Sequence, residues 1–399
     1  MTEISNLETI NVGIVGHIDH GKTTLLYKLS GKWADTHSEE LKRGITIKLG
    51  YADAIIKEEK KTFTIDKKSK GKPLKYITFV DAPGHEMLMA TMLSGAAIMD
   101  AAILVVAANE GIKPQTKEHL IALKAKKINN IIIAQNKIDL VTKDQAIQNY
   151  KQIKDFLKGT IAENAPIIPI SAIQEINLDK ILEELTKIKQ SPATKDDTPI
   201  FLVARSFDIN KPGTDIKNLH GGILGGALKK GKLEIGDIIE IKPGFSFKKH
   251  GEYKYTTVNS KIVSMQKGEH QITQATPGGS LAIETELDPI LTKADALSGS
   301  IASLKNKLPE IANSIKIKYE LFPEIIGADK QEKIQDLRVN ELLMLSMNTT
   351  ITVGQVIKTQ KNSSELKLKI PIVPLKNTSI GIARNFNGHW RLIGFGEIA

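Results

Sequence analysis

Residues Gly16 to Thr23 read GHIDHGKT, two glycines separated by four residues and followed by lysine and threonine. Such spacing lets successive backbone N–H groups turn onto a phosphate, while Lys22 brings a point charge to its β/γ end and the Thr23 hydroxyl binds Mg²⁺. Asp19, His20, Gly21, Lys22, Thr23 and Thr24 are therefore expected to line the phosphates of a nucleotide. The loop alone suits ATP as well as GTP. Asn136 to Asp139, NKID, separates the two. A carboxylate at Asp139 accepts from the N1–H and exocyclic amine of guanine, and adenine offers neither donor there. Asn136 would brace that loop, and the Lys137 stem would cover the face of the base.

Weaker signals gain meaning beside these. Asp81 to Gly84, DAPG, could hold Mg²⁺ through water at Asp81 and present the Gly84 N–H to a γ-phosphate. His85 follows directly, placed to orient an attacking water, so His85, Lys22 and Thr46 are the candidate catalytic residues. Thr46, in RGIT, would complete Mg²⁺ coordination only when a γ-phosphate is present. Ser171, Ala172 and Ile173 follow the last strand of this region and could offer the Ala172 N–H to guanine O6. Trp33, Trp390 and Tyr51 read as packing or rim residues rather than stacking platforms.

These motifs must be held by a parallel sheet. Aliphatic runs at Val12–Val15, Tyr76–Val80, Ala102–Val106, Ile131–Gln135 and Ile167–Pro169 alternate with helical patterns and end where a polar motif begins. Ligands collect beyond the carboxyl ends of such strands, so the motifs converge on one rim. Gln190 to Pro199 has the composition of a linker. Short alternating strands follow (FLVARSF, DIIEIK, KIVSM, SLAIE), then a second set (IKIKYELF, LLMLSM, ITVGQVIK, ELKLKI) after a boundary between Thr292 and Pro309. The expected architecture is an α/β P-loop GTPase domain over residues 1–196, with helices on both faces of a mostly parallel sheet. Two antiparallel β-barrel domains follow over 197–300 and 301–399.

Composition bounds the rest. With no cysteine among 399 residues, disulfides and thiolate zinc sites are excluded. No unbroken apolar run is long enough for a spanning helix, and the N-terminus resembles no secretory signal, so a cytoplasmic protein with no membrane partner is expected. The formal charge of +10 favours a polyanionic partner. Part of it is concentrated in Lys57 to Lys75, which reads as a solvated hairpin.

Beyond these motifs, the chain resembles the gamma subunit of archaeal and eukaryotic translation initiation factor two. The resemblance runs through HSEELKRGITIKLGYA, PGHEMLMATMLSGA, PQTKEHL and QNKIDLV, then LVARSFDINKPGT, HGGILGGAL and the closing WRLIGFGEI. It implies a GTPase that carries methionylated initiator tRNA to the small ribosomal subunit, within a heterotrimer. An alpha subunit would dock on the second domain and a beta subunit on the GTP-binding domain. It also implies GTP/GDP and Mg²⁺, possibly two ions, with Thr23 and Thr46 at one and Asp19 with the Gly44 carbonyl at the other. The rival readings are a selenocysteine-specific or Tu-type elongation factor, and a nucleotide-occupied but inert structural hub. Two departures stand out. Relatives commonly carry a four-cysteine zinc knuckle where this chain has its lysine-rich segment, and Asn385 stands where many continue a basic pair after Arg384.

Overall fold

The computed structural model describes residues 7–33, 49–83, 89–189, 197–325, 333–386 and 388–399. Thr46, Gly44, Gly84, His85 and most of the expected linker lie outside the described residues. Among those described, the first sheet holds β1 (Glu8–Gly16), β2 (Gly50–Glu59), β3 (Thr62–Thr64), β4 (Lys72–Asp81), β5 (Ala101–Ala107), β6 (Ile131–Asn136) and β7 (Ile167–Pro169). Their order is β3-β2-β4-β1-β5-β6-β7. From β4 to β7 the pairing is parallel, whereas β2 and β3 run antiparallel at one edge. β5 is buried along its length, as a parallel strand covered on both faces must be. Among the described residues five helices wrap the sheet: α1 (Lys22–Ser30), α2 (Met89–Ala96), α3 (Pro114–Ala125), α4 (Lys143–Leu157) and α5 (Leu178–Lys187).

The lysine-rich segment folds as the expected hairpin, because alternate residues of β2 are buried against the sheet and the rest face out. Its loop is closed by one side chain. Lys57 Nζ donates to the carbonyl oxygens of Asp66 (3.2 Å), Lys67 (3.0 Å) and Ser69 (2.9 Å), so an ammonium organises the loop.

The second sheet comprises β8 (Ile200–Phe207), β9 (Ile223–Lys230), β11 (Ile238–Lys249), β12 (Glu252–Lys267), β13 (His270–Ile272), β15 (Leu281–Thr285) and β16 (Ile301–Leu304). It closes on itself through the β11–β12 pairing, with β10 (Leu233–Glu234) and β14 (Gln274–Ala275) as a side ribbon. β17 (Ala312–Leu321), β18 (Leu342–Met347), β19 (Thr350–Gln360), β20 (Ser363–Ile372), β21 (Ser379–Phe386) and β22 (His389–Ile398) form a closed antiparallel barrel. The expected division at residue 300 needs correction by a few residues. β16 pairs with β11 and β8, so the chain leaves the second sheet only after Leu304.

The three units meet through charged contacts. Lys267 Nζ donates to Thr9 Oγ1 (3.3 Å) and the Gly278 carbonyl (2.8 Å), while Lys229 Nζ meets Asp100 at 3.0 Å. On the other side, α3 carries the last barrel. Arg391 Nη1 lies 2.7 Å from the Glu118 carboxylate, and Lys126 Nζ donates to the Ser346 carbonyl at 3.0 Å.

Glu118 is 7% exposed, so deleting Arg391 takes a cation away from a buried charge. Arg391→Ala should destabilise the protein by about 3 kcal/mol, whereas Arg391→Met with Glu118→Gln should recover most of that. Chemical denaturation of the two variants and the parent measures this, and an unstable double variant would show that packing rather than charge holds the joint.

Candidate nucleotide site

β1 ends at Gly16, where the backbone takes φ 141°, and the loop that follows reaches Gly21 at φ 89° before α1 begins. Both angles favour glycine. Gly21 has a second reason, since a Cβ there would lie 2.4 Å from Asn136 Nδ2. α1 starts with no side-chain cap and no acid in its first turn, leaving its early N–H groups oriented toward an anion at the loop. Lys22 Nζ donates to the His17 carbonyl at 2.7 Å, bridging the helix start back to the loop start. Thr24 is half-buried beside it, and Asp19 is exposed at φ 59°.

The Mg²⁺ residues come together across two elements. Thr23 Oγ1 donates to Asp81 Oδ2 at 3.1 Å, which joins the start of α1 to the end of β4. Hydroxyl and carboxylate oxygens are the hard donors that Mg²⁺ takes, so this pair fits the ion.

The guanine motif reaches the same rim. Asn136 closes β6, and its side chain donates from Nδ2 to the His20 carbonyl (2.9 Å) while its Oδ1 accepts from the Ala172 N–H (3.0 Å). Lys137 takes φ 62°, turning the chain into a short 3₁₀ turn that leaves Asp139 exposed. Lys137 Nζ is held by Glu110 Oε1 at 3.3 Å. Ser171 is buried and its Oγ accepts from the Gln174 N–H, while Ile173 is 66% exposed.

Two contacts add to the expected picture. The Ala172 amide, expected to face guanine O6, donates here to Asn136 Oδ1. The His20 ring is fully buried, with Nδ1 donating to the Val105 carbonyl at 3.2 Å, so His20 can serve a nucleotide only through its backbone. Burial holds this ring neutral, lowering its pKa to about 4 against a smaller opposing effect of the Val105 bond.

Sequence reasoning missed the bracing from behind. Gln115 Oε1 accepts from the Ile18 N–H (3.1 Å) and His119 Nδ1 accepts from the Gly16 N–H (2.8 Å). The signal was present in PQTKEHL, since an i, i+4 pair lies on one helix face. Accepting at Nδ1 requires a neutral imidazole. Burial, then the charges of Lys22 and His17, lowers the His119 pKa to about 3.

This gives a pH prediction for the nucleotide-free protein. Below pH 6.5 the unfolded chain takes up protons that buried His119 and His20 refuse, so stability is full above that pH and falls toward pH 4. His119→Asn retains an acceptor without the titration, and should flatten the decline by about 1.4 kcal/mol per pH unit. Identical pH slopes for parent and variant in urea unfolding would contradict the assignment.

Comparison with known proteins agrees with the geometry. Residues 7–191 match the family described as "Elongation factor Tu GTP binding domain", and residues 313–398 match "Initiation factor eIF2 gamma, C terminal". The translation initiation factor 2 subunit gamma of Methanococcus maripaludis is 49% identical, with 99% of each chain covered. Those of Methanocaldococcus jannaschii and Pyrococcus horikoshii are 48% and 45% identical, each covering 98% of this chain and 97% of the relative. Among solved structures, a bacterial selenocysteine-specific elongation factor superposes with a TM-score of 0.76 at 24% identity. This chain spans 58% of its length. The elongation factor SelB of Methanococcus maripaludis gives 0.72 at 22% identity, with 79% of its length covered. At such identities these two likenesses speak for the fold alone. Full-length identity near one half is a different matter: the chain belongs to the family of translation initiation factor 2 gamma subunits, and is a GTP-hydrolysing subunit of a translation initiation factor.

Proposed function

We propose that this subunit binds methionylated initiator tRNA in its GTP state, delivers it to the small ribosomal subunit, and lets go after hydrolysis. The observation that carries the reading is the Asn136 clip, which ties the guanine motif to the phosphate loop through the His20 carbonyl. A base reader and a phosphate cradle held in one register select a guanosine nucleotide rather than a phosphate alone.

Within that site, Lys22 and the amides of Asp19 to Thr24 hold the phosphates, and Asp139 reads the base. Thr23, Thr46 and Asp81, the last through water, would hold Mg²⁺, with Asp19 and the Gly44 carbonyl as donors for a second ion. The metal supplies charge neutralisation on the phosphate oxygens. His85 orients the water, while Thr46 and Gly84 report the γ-phosphate. Lys137 covers the base, its ammonium anchored on Glu110. Such switch enzymes turn over slowly alone, at roughly 10⁻⁴ to 10⁻³ per second, and speed up with a partner.

Partner placement follows from the family resemblance. The beta subunit docks on the GTP-binding unit and the alpha subunit on the second. In support of the latter, exposed Ile209, Leu219 and Ile290 sit on segments tied together where Thr292 Oγ1 donates to the Phe207 carbonyl at 3.1 Å and the His220 N–H donates to Asn210 Oδ1 at 2.8 Å. Among the described residues no helix is long and apolar enough to cross a membrane.

Two measurements test the reading. Asp139→Asn should weaken GTP binding at least a hundredfold and transfer preference to xanthosine triphosphate, and an unaltered guanine preference would remove Asp139 from the base. Filter binding of methionyl initiator tRNA should favour the GTP form over the GDP form. It should also favour that tRNA over elongator and selenocysteinyl tRNAs. A preference for either of the latter would return the chain to the elongation-factor alternatives.

A further inference from the structure

The hairpin of β2, β3 and β4 is more than a solvated edge. We infer that its lysines, with the Trp33–Tyr27 stack beside it, form a surface that grips single-stranded RNA without regard to sequence.

The first observation is where the charge goes. Lys57 and Lys75 are turned inward, Lys57 onto three loop carbonyls and Lys75 onto the carbonyls of Leu185 and Thr186 at 3.3 and 3.1 Å. Lys67 shares the Glu269 carboxylate at 3.5 Å. The hairpin's own acids are partly engaged as well. Glu59 accepts from Ser69 Oγ at 2.5 Å, and Asp66 caps the Lys68 N–H at 2.8 Å. Lys60, Lys61, Lys68, Lys70 and Lys72 remain, all exposed, and none forms an ion pair among the described residues.

The tip carries the second observation. Lys60 and Lys61 join β2 to β3 in a two-residue turn with φ 51° and 67°. Two positive angles in a hairpin favour Asn-Gly, and lysine is disfavoured in that conformation by the contact of Cβ with backbone. A residue pair poorly suited to its turn and carrying two unpaired charges points to selection for the charge.

The third observation is aromatic. Trp33 is 57% exposed and stacks on Tyr27, with ring centroids 4.5 Å apart and planes 14° from parallel. One carboxylate locates this stack beside the hairpin. Glu269 takes Lys32, the neighbour of Trp33, at 2.7 Å and hairpin Lys67 at 3.5 Å. Flexible ammonium groups beside a rigid exposed ring are what an unpaired strand requires, phosphates meeting lysines and a base meeting the indole. An acidic protein would use the lysines but leave the ring idle. Duplex RNA keeps its bases stacked inward and could not use the ring either.

The test uses the full chain with Trp390→Phe, which leaves Trp33 as the reporter, because the protein has 2 tryptophans. Titration with a short oligouridylate should quench its fluorescence, whereas duplex RNA and polyglutamate should not. Replacing the five exposed lysines with glutamine should reduce the salt slope of log affinity by about 3.5, at roughly 0.7 per phosphate contact on a single strand. Trp33→Ala, followed by filter binding, should weaken oligouridylate about tenfold with the slope unchanged. Lys60→Asn with Lys61→Gly suits the turn, so it should fold at least as well while losing about 1.4 of the slope. Retained guanine-nucleotide binding verifies each variant's fold. An unchanged slope in the Asn-Gly variant, or quenching by polyglutamate equal to that by oligouridylate, would overturn the assignment.

Discussion

One carboxamide holds the nucleotide rim in register. Asn136 has a donor end and an acceptor end, and it uses Nδ2 on the His20 carbonyl and Oδ1 on the Ala172 amide. Aspartate, of nearly the same shape, would turn an acceptor toward the His20 carbonyl, and leucine would leave both backbone groups buried without partners. The phosphate loop, the guanine motif and the loop after β7 therefore cannot shift independently. The demand spreads to Gly21, since the space a Cβ would need is occupied by the Asn136 amide nitrogen.

A second constraint comes from the opposite side of the loop. α3 turns Gln115 and His119 toward the Ile18 and Gly16 amides, and on its other surfaces Glu118 and Lys126 reach Arg391 and the Ser346 carbonyl of the last barrel. A rigid helix that braces the phosphate loop is also the seat of a separate domain. Any change of that seat moves the acceptors away from two loop amides, so the barrel's position and the loop's shape are bound by one element. The site's chemistry is local, whereas its geometry belongs to two domains.

Much of this was legible in the sequence because it is periodic or forced by chemistry. The parallel strands appear as continuous aliphatic runs, and β1, β4, β5, β6 and β7 extend those runs by only a few residues. Phosphate and guanine motifs are readable because few residue types can do their work. What escaped depends on pairing at long sequence separation. Nothing in SAI discloses that the Ala172 amide turns toward Asn136, and nothing in IDHG that the His20 ring is buried beneath Val105. β16 fell on the wrong side of the expected division for the same reason: its four residues carry no periodicity that tells one barrel from the other, and only its partners β8 and β11 fix its membership. Gln115 and His119 lay within a recognised block, yet their spacing was not converted into a helix face turned toward the loop.

Net charge needs the same scrutiny, because a count of lysines treats them as equivalent. Lys75, Lys126, Lys229, Lys242 and Lys267 all donate to backbone carbonyls, and Lys57 and Lys22 close loops in the same way. An ammonium has three donors, and carbonyl oxygens at strand and helix ends commonly lack partners, so a lysine stem reaching such a cluster satisfies several groups at once. Burial opposes the charge. It lowers the pKa of Lys126 to about 7 and that of Lys267 to about 8, with Asp100 partly offsetting the latter. These cations enter the formal +10 but are committed to internal acceptors, so the composition misstates where a polyanion can bind. The relevant charge is the remainder, exposed and unpaired among the described residues, and the antiparallel edge of the first sheet is one place where it gathers.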